Sequence, residues 1–350
     1  MEEAGAPMNG GMGKFSYAKN SHFQREEHNS AKNLIKDVLT QNLDVRTLMS
    51  STSNKFTIAD LGCSVGPNTF LAMEHIIDVV EQKYHTQGDN PTNLEFIVYF
   101  NDQVANDFNT LFASLPTGRR YYAAGVPGSF WGRLFPESSI CVAHSAASVH
   151  WISKIPKELL DKNKGKIHYT GATDEVVGAY AAQFEEDMDV FLNARGKEIV
   201  QGGVIVITTP GVADGATNYL GITFTFLESI LIDMVGEGLI DQDEVDSFNI
   251  PHVYPSVEQM SKIVEKNGCF SILKMELRRI HAGPKSSLEH EAAIMTIRAV
   301  FEGTFANHFG NKTVEEIFRR VIRNKSKLFS MEESAKAELG TQLFAVLMRK

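Results

Sequence analysis

The chain has 350 residues, of which 43% are hydrophobic and 22% are charged, and its formal net charge at pH 7 is -9. This length can bury one or two hydrophobic cores. The acidic balance argues against a nucleic-acid-binding protein, because the basic face of such a protein normally dominates its total charge. An anionic small molecule remains compatible with this charge as a substrate, since a pocket can be locally neutral or positive.

Cysteine usage and the N-terminal sequence indicate a cytoplasmic protein. Cys63, Cys141 and Cys269 are odd in number and far apart, which predicts neither a disulfide framework nor a zinc site and indicates a reducing compartment. Residues 1–16 have no apolar segment, so we expect a flexible lead-in and not a signal peptide. No run of about 18 apolar residues occurs, so neither a membrane-spanning segment nor a membrane partner is predicted.

Short apolar runs alternate with helical patterns along the chain. A helix is predicted from His22 to Gln41, and helical patterns follow the first, second and fourth apolar runs. The predicted strands are Phe56–Leu61, Leu94–Phe100, Ser139–Ala143, Gly203–Thr208, Ser271–Leu277 and Leu343–Met348. Strands that alternate with helices predict an α/β fold with a largely parallel sheet. The continuous apolar run VIVIT at Val204–Thr208 is typical of a strand that is covered on both faces.

Two stretches interrupt this alternation. They run from about residue 215 to 265 and from about 286 to 340, and both are helical with no intervening strand. We therefore predict an α/β domain over residues 1–214, completed by strands near 271–277 and 343–350. A mostly helical cap over residues 215–340 would cover the open end of the sheet and line a substrate pocket.

The turn after the first strand predicts a nucleoside site. Asp60 ends the strand, and Gly62 and Gly66 then give a GxxxG spacing followed by Pro67, which does not match a dinucleotide fingerprint. A loop without a clean nest of N–H donors suits a ligand that lacks a pyrophosphate, such as S-adenosylmethionine, and Asp60 would suit its ammonium group. A generic turn between a strand and a helix is the alternative.

An acidic residue also follows the second predicted strand. Asp102 follows it and is placed to accept the two ribose hydroxyls, although a helix cap explains an acid there equally well. Asp107 could be an N-terminal helix charge. Two acids at the ends of consecutive strands favour the nucleoside interpretation over either residue alone.

Six motifs, in order, resemble the plant SABATH methyltransferases, which include salicylic, benzoic, jasmonic, indole-acetic and loganic acid enzymes and the caffeine-pathway N-methyltransferases. The motifs are FSYAKNSHFQ (15–24), IADLGCSVGPNTF (58–70), YFNDQVANDFNTLF (99–112), AAGVPGSFWGRLFP (123–136), VHWISKIPKEL (149–159) and VDSFNIP (245–251). The resemblance runs from about Met8 to the last strand. It implies a Rossmann-like class I methyltransferase sheet with a helical cap, S-adenosylmethionine as methyl donor, and a homodimer.

The resemblance also assigns residues to the methyl donor. Asp60 would lie beside the methionine moiety. The other implied contacts are Tyr17, Cys63 and Asn68 around the first loop, Asp102 and Gln103 at the ribose and adenine edge, and Ser129 and Phe130 around the adenine. The family usually has Leu at the position of Gln103.

For the substrate, the resemblance implies that Gln24 and Trp151 donate hydrogen bonds to a carboxylate, with His150 beside them. A carboxylate with a pKa of about 4–5 is ionised at neutral pH and needs no general base. Neutral donors orient it without an ion pair that would lower its nucleophilicity. Taken singly, Trp151 and His150 could be structural, and Gln24 could lie on a solvated helix face. Further expected wall residues, each of which could be plain core, are Phe224, Val253, Phe301 and Phe344.

Some family members bind magnesium in the cap, and the matching positions here supply a hard-cation set of oxygens. They are Asn163, Asp246, the carbonyl of Phe248, and Asn249. An Asn/Asp turn without a metal is the alternative.

The sequence departs from the family at Ala147, where many members have Tyr, and at His150, where the enzymes for benzenoid acids have Met. These differences favour an acid that is bulkier and less flat than salicylate. The predicted function is in-line SN2 methylation of the carboxylate of a small plant acid. The alternatives are N-methylation of a xanthine alkaloid and, because of Ala147, a non-catalytic S-adenosylmethionine-binding relative.

Overall fold

A seven-stranded sheet lies at the centre of the protein in a computed structural model that describes residues 5–49, 54–88, 94–157, 159–213, 216, 219–279, 287–334 and 341–350. The strands are β1 (Lys55–Leu61), β2 (Glu95–Asp102), β3 (Tyr121–Pro127), β4 (Ile140–Ala146), β5 (Ile199–Pro210), β6 (Phe270–Arg279) and β7 (Thr341–Arg349). Their order across the sheet is β3-β2-β1-β4-β5-β7-β6. Neighbouring strands from β3 to β5 are parallel, whereas β7 is antiparallel to both β5 and β6. The predicted α/β fold with a largely parallel sheet is confirmed.

Helices cover the sheet and build the cap. They are α1 (Tyr17–Asn20), α2 (His22–Asn42), α3 (Val45–Leu48), α4 (Pro67–Thr86), α5 (Phe108–Ala113), α6 (Leu159–Lys162), α7 (Asp174–Glu198), α8 (Tyr219–Gly236), α9 (Gln242–Asp246), α10 (Val257–Asn267), α11 (Ser287–Phe309), α12 (Asn311–Arg323) and α13 (Lys325–Ser334). The helix predicted from His22 ends one residue later than expected.

Strand β3 was missed by the sequence prediction. It pairs with β2 at the edge of the sheet, and most of its side chains are at least partly exposed. An edge strand needs fewer apolar residues than a central one, and a glycine and a proline in YYAAGVP further weaken its pattern.

Both faces of the sheet are covered, as the continuous apolar runs predicted. Along β5, Val204 and Val206 point into a core formed with α2, α3 and α4. Ile205 and Ile207 point to the opposite face, into a core that α7 and α10 complete. This separation follows from the two-residue period of a strand.

A third hydrophobic cluster lies in the cap, between α8, α9, α11, α12 and α13. Helix α12 shows why this layer forms, because its buried residues Val314, Ile317, Phe318 and Val321 recur at helical spacing on one face. Helix α10 falls within the range predicted for the cap but packs on the sheet through Met260 and Ile263. The division at residues 214/215 otherwise stays a prediction.

The N-terminal segment is packed, and the expectation of a flexible lead-in is wrong for residues 5–16. The backbone N–H of Asn9 donates to the carbonyl of Ala299 at 3.0 Å, and the N–H of Gly11 donates to the carboxylate of Asp107 at 2.8 Å. Small residues allow this close approach, since a Cβ on Gly10 would lie 2.7 Å from the Cβ of Asp107. Within the described residues, every helix is too short or too polar to cross a membrane.

Candidate active site

The carboxyl ends of β1 and β2 are tied together by backbone hydrogen bonds. The N–H groups of Gly62 and Cys63 both donate to the carbonyl of Asn101, each at 2.9 Å. The N–H of Ser64 donates to Oδ2 of Asp102 at 2.7 Å, which fixes this carboxylate at the edge of the sheet. The helix-cap interpretation of Asp102 is wrong, because α5 begins only at Phe108.

Gly62 is required by the turn after β1. Its φ is +86°, a left-handed conformation that strains other residues. A Cβ built on it would also lie 2.1 Å from the hydroxyl oxygen of Ser148, which follows β4. The tight turn thus brings the loops after β1 and β4 into contact and leaves space beside them.

Two adjoining cavities open at this edge of the sheet. The outer cavity is lined by residues that include Tyr17, Asp102, Gln103, Phe130, Trp131 and Trp151. The inner cavity is lined by residues that include Gln24, Glu27, His28, Asp60, Asn68 and His144. They share Tyr17, Gly62, Ser64, Ala146 and Ala147, so they lie on two sides of the same turn.

Asp60 is buried and has protein partners on both carboxylate oxygens. Its Oδ1 lies 2.7 Å from Nδ1 of His144, and its Oδ2 accepts a hydrogen bond from the hydroxyl of Thr69. These two contacts join β1, which carries Asp60, to β4 and to the first turn of α4. Each oxygen thus has one protein contact, which uses about two of the four acceptor sites of the carboxylate.

Of the eight positions predicted to contact the methyl donor, seven line the two cavities. The inner lining contains Tyr17, Asp60, Cys63 and Asn68, and the outer lining contains Tyr17, Asp102, Gln103 and Phe130. Ser129 belongs to neither lining and instead contacts the backbone N–H of Trp131 through its hydroxyl at 3.4 Å.

The side chain of Asn68 is used to anchor α2. Its Nδ2 donates to the carbonyl and the hydroxyl of Ser21 at 2.8 and 3.0 Å, and its Oδ1 accepts from Nε of Arg25 at 3.1 Å. Asn68 therefore fixes the start of the helix that carries Gln24.

A buried ion pair holds the loop that carries Phe130. Arg195 and Glu198 on α7 are 2.7 Å apart, and both are essentially inaccessible to solvent. The guanidinium group donates to the carbonyls of Phe130 and Gly132 at 2.7 and 2.8 Å. The remaining oxygen of Glu198 accepts from the backbone N–H groups that follow, at Leu134 and Phe135. The pair positions the loop through main-chain groups.

Aromatic rings surround Trp151 at the boundary with the cap. The ring of His252 lies 4.0 Å from the indole, and that of Phe301 lies 5.6 Å from it. Phe224 packs edge-to-face on Phe301 at 5.3 Å. The N-terminal segment closes over the indole, because a Cβ on Gly5 would lie 2.8 Å from the Trp151 ring.

Gln24 and His150 have different surroundings. Gln24 lines the inner cavity, and within the described part of the chain its Oε1 is buried without a hydrogen-bond partner. Nδ1 of His150 lies 3.1 Å from the hydroxyl of Thr209. Burial lowers the pKa of His150 to about 3, so the ring is neutral at physiological pH.

A family model described as SAM dependent carboxyl methyltransferase matches residues 3–350. The chain belongs to this family. It is 40% identical to loganic acid O-methyltransferase of Catharanthus roseus, over 98% of this chain and 94% of that protein. It is 37% identical to farnesoic acid carboxyl-O-methyltransferase of Arabidopsis thaliana, over 98% of each chain.

A solved structure of loganic acid methyltransferase with SAH superposes on this carboxyl methyltransferase with a TM-score of 0.90. The two chains are 39% identical, and the match covers 98% of this chain and 99% of the other. The predicted SABATH resemblance and the class I methyltransferase fold are confirmed, and S-adenosylmethionine is the methyl donor of this family.

Two predicted wall residues of the carboxyl methyltransferase lie in the cores of the sheet. Val253 belongs to the core on the α7 face, although its N–H donates to the carbonyl of His150 at 2.8 Å. Phe344 on β7 is fully buried in the core on the α2 and α4 face. Neither belongs to the cap cluster, which contains Phe224 and Phe301.

Sequence reasoning missed two residues of the candidate site, one beside Trp151 and one in the inner cavity. His252 packs on Trp151, although the sequence analysis selected its neighbour Val253. Glu27 lines the inner cavity one helical turn after Gln24, and that i,i+3 spacing on a predicted helix was the available signal.

The residues predicted to bind magnesium form a hydrogen-bonded turn. Nδ2 of Asn163 donates to Oδ1 of Asn249 at 2.7 Å, and Oδ1 of Asp246 accepts from Gly165 N–H at 2.9 Å and from Gln242 at 2.7 Å. Among the described residues, no group of three or more His, Cys, Asp and Glu side chains could hold a metal. These hydrogen bonds engage Oδ1 of Asp246 and Oδ1 of Asn249, whereas Oδ1 of Asn163 is buried without a hydrogen-bond partner among the described residues.

Proposed function

We propose that this carboxyl methyltransferase converts a small plant acid to its methyl ester by in-line SN2 transfer. The observation that carries the proposal is the position of Gln24 and Trp151, which line the inner and the outer cavity around one shared turn. A carboxylate held between these two side chains would face a methyl donor that follows the edge of the sheet.

Each cavity would hold a different part of the methyl donor. We assign the adenosine to the outer cavity, where Asp102 is placed to accept ribose hydroxyls and Phe130 is placed against the base. The amino-acid end would occupy the inner cavity. When bound, S-adenosylmethionine supplies an electrophilic methyl group on a sulfonium.

The protein residues then position the nucleophile and exclude water. An acid of ordinary pKa is already ionised at neutral pH, so no base has to remove a proton. Gln24 can donate through its amide and Trp151 through its indole N–H. Among the described residues that line the cavities there is no Lys or Arg. The carboxylate therefore keeps its nucleophilicity while it is held within about 3–3.5 Å of the methyl carbon.

His252 is proposed to select the substrate. It is 1% exposed, and within the described chain its Nε2 has no hydrogen-bond partner. Its Nδ1 lies 3.2 Å from the hydroxyl of Tyr254, which can fix the tautomer. Burial lowers the pKa of His252 well below its usual value, so the ring is a neutral donor or acceptor beside Trp151.

Replacing His252 with Phe tests this role. We expect KM to rise about tenfold for an acid with a polar group beyond its carboxylate, and to change little for a purely apolar acid. His252→Gln keeps a hydrogen-bonding group and serves as the matched control. Equal losses for polar and apolar acids would assign the residue to packing alone.

The function itself is tested by methyl transfer from labelled S-adenosylmethionine to a panel of acids and xanthines. The acids are salicylate, jasmonate, indole-acetate, loganate, gibberellins and farnesoate. A methyl ester of one acid is the expected product. A methylated ring nitrogen without any ester would favour N-methylation of a xanthine, and no product despite tight cofactor binding would favour the non-catalytic alternative.

Three accompanying predictions belong to the proposal. A homodimer would give twice the chain mass by light scattering at all working concentrations. A cytoplasmic location would appear by imaging of a tagged chain.

Magnesium at Asn163, Asp246, Phe248 and Asn249 would stabilise the cap without taking part in catalysis. A Tm that does not respond to magnesium or to EDTA would leave this turn metal-free.

A further inference from the structure

The inner cavity contains a carboxylate that has no protein partner. Glu27 on α2 is partly buried, and its side chain forms no hydrogen bond or ion pair with any residue that the structure describes. Burial raises the pKa of Glu27 to about 7. A buried carboxylate is normally paired, because its charge loses hydration.

The rest of the inner cavity is built to receive a polar ligand end. His28 and His144 are 6% and 1% exposed, and the Nε2 of each has no hydrogen-bond partner within the described chain. Both rings line the inner cavity with Glu27. None of the described lining residues is a Lys or an Arg, so a bound cation would be the counter-charge that this wall lacks.

Glu27 is better placed than Asp60 to meet that cation. Both oxygens of Asp60 are engaged, by His144 and by Thr69. These contacts use about two of the four acceptor sites of the Asp60 carboxylate, whereas both oxygens of Glu27 are without a hydrogen bond or ion pair among the described residues.

We propose that the Glu27 carboxylate accepts the α-ammonium group of the methyl donor's amino-acid moiety. This inference rests on the proposed function, since it assumes that the inner cavity holds that moiety. A role toward the substrate carboxylate is disfavoured because two like charges repel. Burial and, after it, the charge of Glu27 raise the pKa of the Tyr17 hydroxyl, so Tyr17 is a neutral neighbour of the pair.

Equilibrium binding separates this role from a structural one. We would titrate S-adenosylhomocysteine, and the analogue in which hydrogen replaces its amino group, into wild type and Glu27→Gln by calorimetry near pH 8. Wild type is expected to bind the amino compound more tightly than the analogue. Glu27→Gln is expected to lose about 10- to 100-fold in affinity for the amino compound and to bind the analogue as wild type does.

Two further variants complete this test. Glu26→Gln, an exposed neighbour on the same helix, should bind both ligands as wild type does. Glu27→Asp keeps the charge on a shorter side chain and should give an intermediate loss. If Glu27→Gln is poorly folded, the Asp variant carries the test through the same ratio of affinities.

Other results would overturn the inference. Equal losses for the two ligands would show a structural role for Glu27. Unchanged binding of S-adenosylhomocysteine with a raised KM for the acid would assign the carboxyl to the substrate. Failure of the wild-type protein to bind S-adenosylhomocysteine at all would instead contradict the proposed function.

Discussion

Two acidic residues that line one cavity differ in their hydrogen-bond partners. Asp60 is 3% exposed and receives contacts from His144 and Thr69 on its two oxygens. Glu27 lines the same cavity, and its side chain has no hydrogen bond or ion pair among the described residues. A group left unpaired in the folded protein lowers stability, and such groups concentrate at binding sites.

Glu27→Gln should therefore stabilise the ligand-free protein at alkaline pH. The pKa of Glu27 is raised from 4.5 to about 7 in the folded state. Between these values the folded state binds more protons than the unfolded state, so this residue's contribution to stability falls as pH rises through the window. His28 beside it stays neutral there, since burial lowers its pKa to about 3.

The check is the Tm of wild type and variant from about pH 4 to about pH 8. The two curves should nearly coincide at the acidic end, separate through the window, and run parallel above it. Asp37→Asn, an exposed change on the same helix, is the control and should follow wild type. A variant that is less stable than wild type near pH 8 would mean that Glu27 has a stabilising partner in the folded protein.

At the scale of elements, the turn between β1 and α4 depends on one glycine. In Gly62→Ala, the new methyl group would meet the hydroxyl of Ser148 in a backbone at φ +86°. We expect a loss of about 1–3 kcal/mol in the free energy of unfolding. Affinity for S-adenosylhomocysteine should fall with it, because the turn separates the two cavities.

Gly178 provides the matched control for this substitution. It is an exposed position within α7, and a Cβ there would meet nothing within 4 Å. Gly178→Ala should stabilise the protein by about 0.5–1 kcal/mol, since alanine loses less backbone entropy in a helix. Denaturant titration of both variants measures the contrast. Similar stabilities for the two would rule out the clash at Ser148.

A second prediction at this scale concerns the ion pair between Arg195 and Glu198 on α7. Arg195→Leu removes the donors to the Phe130 loop and leaves Glu198 buried without its cation. We expect a loss of about 3–5 kcal/mol in the free energy of unfolding, measured by denaturant titration. Lys197→Met, an exposed change in the same turn, should have little effect. Wild-type stability in Arg195→Leu would show that the backbone holds the loop without the pair.

At the scale of the whole molecule, the sheet and the cap meet around Trp151. The backbone of Trp151 pairs with that of His252, and the indole also packs on Phe301 of α11. Helix α2 contacts both α4 beside the sheet and α11 of the cap. These contacts predict that the two parts unfold together and that a ligand between them stabilises both.

Thermal unfolding with S-adenosylhomocysteine tests this coupling. At a ligand concentration of about 100 times Kd, binding adds about 2.7 kcal/mol, which corresponds to a Tm shift of about 3–5 °C for a chain of this size. One transition that moves as a whole is expected by calorimetry. Two transitions, of which only the first or the second moves, would show that the cap and the sheet unfold separately.

The sequence alone determined the family, the methyl donor and the α/β fold. Central strands buried on both faces must be apolar throughout, so VIVIT at Val204–Thr208 was readable without any contact being known. The resemblance also directed attention to Tyr17, Gln24, Asp102 and Trp151, which line the two cavities and whose roles stay predictions.

Only the tertiary structure decided which groups are left without partners. Asp60 and Glu27 are both acids near the inner cavity, but the partners of Asp60 come from β4 and α4, 84 and 9 residues away in the sequence. Val253 and His252 are adjacent, yet one packs on the sheet and the other on Trp151. Burial and hydrogen bonding depend on segments distant in sequence, and they decide which polar atoms remain free to bind a ligand.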